Sequence, residues 1–123
     1  AREIIRVTKI SKSKPNSAGG VDVFIGYKNM SDKIIKYAVF TITPYNSVGD
    51  KTYCDIRREA TVRLNDMGPY KKGEGLAGNY NWYWENTWYN WEISKIELDK
   101  IEIEYMDGTR ITLTDEDLKY VQY

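Results

Sequence analysis

Seven of the twelve residues 80–91 (YNWYWENTWYNW) are aromatic, and Tyr80, Trp82, Trp84, Trp88, Tyr89 and Trp91 include every tryptophan of the chain. Flat exposed rings stack on sugar rings through apolar burial, and large exposed apolar patches mark interaction sites. The same rings can instead fill the interior of a β-sandwich, each burying about 150–250 Å². On a strand of period two, Tyr80, Trp82 and Trp84 share one side and Tyr83 points to the other. An Asn/Thr turn at 86–87 is then expected to lead into Trp88, Tyr89 and Trp91, with Trp88 and Tyr89 the exposed members of the set.

Outside this segment the residue types limit the chemistry. The chain has no histidine and one cysteine, so a Ser or Cys nucleophile would need Lys, Asp or Glu as its base, and no such spacing stands out. Cys54 lies in a run read as a strand, beside Asp55, and is expected to be a buried thiol whose pKa the acid raises. Glu102 and Glu104 alternate with Ile101 and Ile103 and should share one solvated sheet face. A glycosidase instead needs two carboxyls across a cleft, one of them desolvated. Asp107, Asp115, Glu116 and Asp117 have the oxygen ligands that Ca²⁺ prefers, but turn and helix-start duties account for all four. No catalytic residue, metal site or cofactor is therefore expected.

The net charge is zero, and a neutral chain lacks the concentrated positive charge that phosphate backbones require, which sets nucleic acid aside. The charge is nonetheless uneven. Residues 1–36 carry eight Lys/Arg against three Asp/Glu, and residues 92–119 carry four against nine. Terminal strands lying side by side would neutralise one another. No stretch approaches the roughly 18 apolar residues of a membrane span, and residues 1–20 are too polar for a signal peptide. Either a cytosolic protein or the mature form of an exported one fits.

The elements that must position these residues are strands. A chain of 123 residues falls in the size range of one domain, here 1–123, and eleven tyrosines with four tryptophans favour pleated, half-buried surfaces. A first run, 4–10, ends in a flexible loop at 11–20, and the domain proper is expected to begin at Val21. Val21, Val23, Ile25 and Tyr27 alternate as one buried face, and 29–33 makes a turn. Residues 34–43 read as a central strand with Ala38, Phe40 and Ile42 on one face. Pro44 should end its ladder, and 46–50 supply the turn back. Two shorter strands are expected at 51–56 and 60–64, followed by a connection through Gly68-Pro69 and 71–75. Along 93–106 the alternation slips phase at Asp99-Lys100, which predicts a bulge. Asp107-Gly108 predicts a two-residue hairpin into 109–113, and Thr114 is positioned to cap a short acid-started helix.

Four pieces of this pattern carry a resemblance: 29–37 (NMSDKIIKY), 40–50 (FTITPYNSVGD), 68–74 (GPYKKGE) and 101–108 (IEIEYMDG). Together they resemble the small immunoglobulin-like sandwiches of bacterial envelope proteins of the FxLYD type, with Asn46 where that family usually has Asp and Pro44 where it often has Leu. The resemblance covers about residues 21–113. It implies an all-β immunoglobulin-like antiparallel sandwich of about seven strands, to which the acid-started run after Thr114 is expected to add a short C-terminal helix. It also implies an extracytoplasmic place, in the periplasm, at the cell surface or secreted, with a lipid anchor through a segment absent from this chain as one route. The functional expectation is a non-catalytic interaction or spacer module whose partner is another protein or a cell-surface glycan. The alternative is a carbohydrate-binding module that uses the aromatic segment.

Overall fold

Period-two alternation builds two antiparallel sheets whose apolar faces meet. The computed structural model describes residues 2–78 and 83–122. In the first sheet, β2 (Gly20–Asn29) lies between β1 (Ile5–Lys12) and an edge position filled first by β5 (Gly75–Leu76) and then by β6 (Trp84–Tyr89). In the second, the order is β4 (Val62–Tyr70), β3 (Ile35–Tyr45), β7 (Lys95–Tyr105) and β8 (Arg110–Thr114). Among the described residues eight strands thus occupy seven positions, and the chain crosses between sheets from β2 to β3, from β4 to β5 and from β6 to β7. This is the interlocked connectivity of an immunoglobulin-like sandwich.

The core is the meeting of the two alternating faces. Val21, Val23, Ile25 and Tyr27 of β2 face Ala38, Phe40 and Ile42 of β3 and Ile101 and Ile103 of β7, all fully or almost fully buried. The Tyr27 and Phe40 rings lie 5.2 Å apart. β3 is the central strand of its sheet, as its β-branched and aromatic run predicts. The bulge also falls where the phase slips: Thr41 pairs with Lys100 and Ile42 with Leu98, so Asp99 is the extra residue.

Several expectations are corrected. The first run belongs to the domain, because β1 pairs along β2 and buries Ile5 and Val7 in the common core. Pro44 stays inside β3, opposite Ile96. Its carbonyl accepts from the Thr52 N–H on the β4 side, and the pairing of β4 has ended by Ile42. The N–H that proline lacks would point to that same side, where no ladder needs it. Residues 52–60 form no strand, and β4 runs on through Gly68-Pro69, which bulges opposite the stretch between Ile35 and Tyr37.

Two local details also differ. The β7–β8 connection is a Tyr105-to-Gly108 turn rather than a two-residue loop: the Gly108 N–H donates to the Tyr105 carbonyl, and only Gly108 takes positive φ (88°). That is a type I turn closed by a left-handed glycine. Thr114 is still paired with Lys100 as the last residue of β8, so the residue at the start of α1 (Glu116–Val121) is Asp115, without a side-chain cap. α1 buries Leu118 and Val121 and ends in a parallel bridge from Gln122 to Val7. It therefore covers the open side of the sandwich between edge strands β8 and β1. No helix among the described residues is long and apolar enough to cross a membrane.

Candidate functional site

The aromatic segment divides by burial. Trp88 is fully buried, contrary to the expectation that it is exposed, and its Nε1 donates to the Ala60 carbonyl at 2.6 Å. The reason is that residues 86–87 form no turn. Val21 pairs with Trp88 and Val23 with Trp84, so Glu85, Asn86 and Thr87 bulge out of a continuous β6 opposite Asp22, whose carboxylate accepts the Asn86 N–H at 2.9 Å. The bulge adds two residues and so keeps the phase, leaving Trp88 on the same inward face as Trp84. Tyr89 is half-buried rather than exposed, with the Arg57 guanidinium 5.9 Å from its ring centre. Trp84 is half-buried against the core, while Trp91 is 62% exposed. Tyr83 stacks on Phe24 at 5.2 Å. Tyr80 and Trp82 lie outside the described residues. The described rings therefore form no single row.

The loop 52–60, which the sequence reads in part as a strand, is fastened to the free edge of β6. Arg57 Nη2 donates to the carbonyls of Asn86 and Thr87, the Asp55 N–H donates to the Tyr89 carbonyl, and Asn90 Nδ2 donates to the Tyr53 carbonyl. These contacts occupy backbone groups that an uncovered edge would offer to another chain. Cys54 is buried beneath the loop and its sulfur receives the N–H groups of Arg57 and Tyr89. Burial pushes the thiol up, but the backbone donors of Arg57, Tyr89 and Ile56 and the Arg57 charge outweigh it. The net shift is downward. Donors that the fold brings to the sulfur decide the sign, which Asp55 alone did not predict.

The outer face of the second sheet gathers the polar chemistry. Glu102 and Glu104 do share a solvated face. Register places Arg63 beside Thr41, Val39 beside both Asn65 and Glu102, Tyr37 beside Glu104, and Arg110 across from Glu104. The result is an open groove of about 360 Å³ lined by Tyr37, Val39, Arg63, Glu102, Glu104 and Arg110, among others. Arg63 Nη2 meets Glu102 Oε1 and Arg110 Nη2 meets Glu104 Oε1, each at 3.1 Å. Lys100 approaches Glu102 Oε1 at 3.7 Å and Lys36 approaches Glu104 Oε2 at 3.8 Å. The guanidinium side chains are 63% and 77% exposed, against 33% and 25% for the carboxylates. Cations form the rim and acids the floor.

The remaining candidates are spread apart. Asp107 lies in the β7–β8 turn, where the Thr109 hydroxyl and N–H, together with Lys33, hold its carboxyl below the usual range. Asp115, Glu116 and Asp117 sit beyond the other end of β8. Among the described residues no group of three His, Cys, Asp or Glu could hold a metal ion. The uneven charge is offset in part by Lys33 with Asp107 and Lys36 with Glu104, and not by lysines of β1, since Lys9 and Lys12 enter no ion pair among the described residues.

One buried polar group lay hidden in the sequence. Asp66 of β4 is 1% exposed between the sheets and accepts the Tyr27 hydroxyl at 2.7 Å through Oδ2, while Oδ1 has no partner. Burial, then the bond to Asp66, pushes the Tyr27 hydroxyl far up; burial and the Asp66 charge push Tyr70 up to about 12. The polar position in the alternation 64–67 was the available signal. An inward charge on an edge strand also discourages edge-to-edge pairing. No protein-family model matches the chain, and no curated protein matches it.

Proposed function

We propose that the domain is a non-catalytic interaction module of a bacterial cell-envelope or secreted protein, and that it docks through the outer face of the β4-β3-β7-β8 sheet. The observation that carries this reading is the groove on that face, where exposed guanidiniums of Arg63 and Arg110 rim recessed carboxylates beside Tyr37. Loop 52–60 covers the β6 edge and α1 covers the gap between β8 and β1, which leaves the broad face of the second sheet uncovered by either. The extracytoplasmic place rests on the resemblance to FxLYD-type envelope domains.

The test is co-sedimentation of the purified domain with insoluble bacterial envelope material. Retention is expected, with loss in the Arg63→Ala/Arg110→Ala double variant at an unchanged melting temperature. Equal retention of the double variant, or no retention of either protein, overturns the docking face.

A second reading, carbohydrate binding by the aromatic segment, is favoured by the exposure of Trp91 and Tyr53 on either side of Asn90. It predicts a saturable change in tryptophan emission on adding a glycan that is abolished by Trp91→Ala.

A further inference from the structure

Resting on the docking face just described, we propose that the groove of the second sheet takes an anionic polysaccharide, a chain of sugars bearing carboxylate groups. The donor and acceptor arrangement points to this class. Arg63 and Arg110 reach in from the outer strands β4 and β8 to Glu102 and Glu104, two residues apart on β7, so two cationic forks stand over neighbouring carboxylates of one strand. A guanidinium has five N–H donors, and one Nη2 contact to a glutamate leaves others open to a ligand. Forks of this geometry match carboxylates bidentately.

Between them the floor is an acceptor. Both ion-pair contacts of Glu102 fall on Oε1, and Lys36 stands 3.8 Å from Glu104 Oε2, beyond hydrogen-bond length. The second oxygens therefore keep lone pairs for hydroxyl donors. A ligand that presents anions at intervals and hydroxyls between them satisfies rim and floor together. Tyr37 supplies the ring against which a sugar face packs. A purely acidic peptide would meet the rim but bring only more acceptors to a carboxylate floor. The groove volume of about 360 Å³ sits at the small end of ligand sites, about 300–1,000 Å³, as fits a chain lying across an open face.

The experiment measures affinity of the intact domain for polygalacturonate, neutral dextran and poly-L-glutamate, alongside envelope material treated to remove carbohydrate. Binding of polygalacturonate alone is expected, weakened about tenfold for each guanidinium lost in Arg63→Ala and Arg110→Ala. The decisive variant is Glu102→Gln/Glu104→Gln. Simple attraction of a polyanion to cations would tighten when two negative charges are removed, whereas recognition of hydroxyls by the carboxylates weakens.

Tighter binding by that variant, or equal binding of poly-L-glutamate, overturns the proposal. Trp91→Ala should leave the affinity unchanged, and a loss there moves the site to the aromatic segment and overturns it too. Retention on carbohydrate-stripped envelope that depends on Arg63 and Arg110, without glycan binding, overturns the ligand class while the docking face stands. No retention on any material removes both.

Discussion

β6 and the outer face of the β4-β3-β7-β8 sheet invert what their residue types suggest. β6 carries the rings that look built for stacking, yet its pairing with β2 places Trp88 in the core, and loop 52–60 is tied along its edge. The sheet face draws single polar residues from four strands, none conspicuous alone, and register assembles them into a groove. Conspicuous clustering along a chain reflects what the core needs as often as what a partner needs. A surface on a sheet is written across strands, one residue in two, and is dispersed in sequence.

That contrast predicts that changes around β6 cost stability and changes on the face cost little. The largest effect is expected for Trp88→Ala, which empties a filled core position and orphans the Ala60 carbonyl. A loss of about 3–5 kcal/mol in urea unfolding follows from large-to-small core substitutions. A loss below about 1 kcal/mol would return Trp88 to the surface. Next is Tyr27→Phe, which leaves Asp66 buried with neither oxygen bonded by that hydroxyl, at about 1–3 kcal/mol.

The same pair has a pH signature. Tyr27 and Tyr70 are raised in the folded state, so the unfolded chain releases their protons first as pH climbs past about 10. Their stabilisation is complete below that pH and is lost above it, the Tyr70 share by about pH 12. Melting temperatures should hold up to about pH 10 and fall above it, less steeply in Tyr27→Phe. A parallel decline in both proteins would remove Tyr27 as the cause.

Smaller again is Arg57→Ala. It frees two β6 carbonyls and should cost about 1–2 kcal/mol while raising hydrogen exchange in 52–60 more than in β3. Exchange unchanged in that loop would mean that Asp55 and Asn90 hold it without the arginine. The smallest effect is expected on the face: a double-mutant cycle across Arg63 and Glu102 should couple by about 0.2–1 kcal/mol, as exposed pairs do. A coupling above about 2 kcal/mol would make the groove a structural feature.

Much of the fold was legible where local chemistry and tertiary context agree. The alternations at 21–27 and 38–42, the central place of β3 and the bulge at Asp99 follow from period two and its interruption, because a strand with one buried face must keep phase. The misreadings fall where a distant partner rewrites a local signal. Pro44 continues β3 because β4 has already ended beside it, and the 52–60 loop gives up strand pairing to bond the β6 edge. Asp107-Gly108 turns by one residue more than the pair alone suggests, since only Gly108 takes positive φ.

The chain's own pattern determined the class of object: aromatic-rich runs of period two, broken by Gly, Pro and Asn, bury their apolar faces by laying one sheet on another or by closing a sheet on itself. Only the tertiary structure decided which rings face inward, which loop guards an edge, and which dispersed charges meet. Those outcomes depend on register and on bulges of a residue or two, and a shift of one residue exchanges the two faces of a strand.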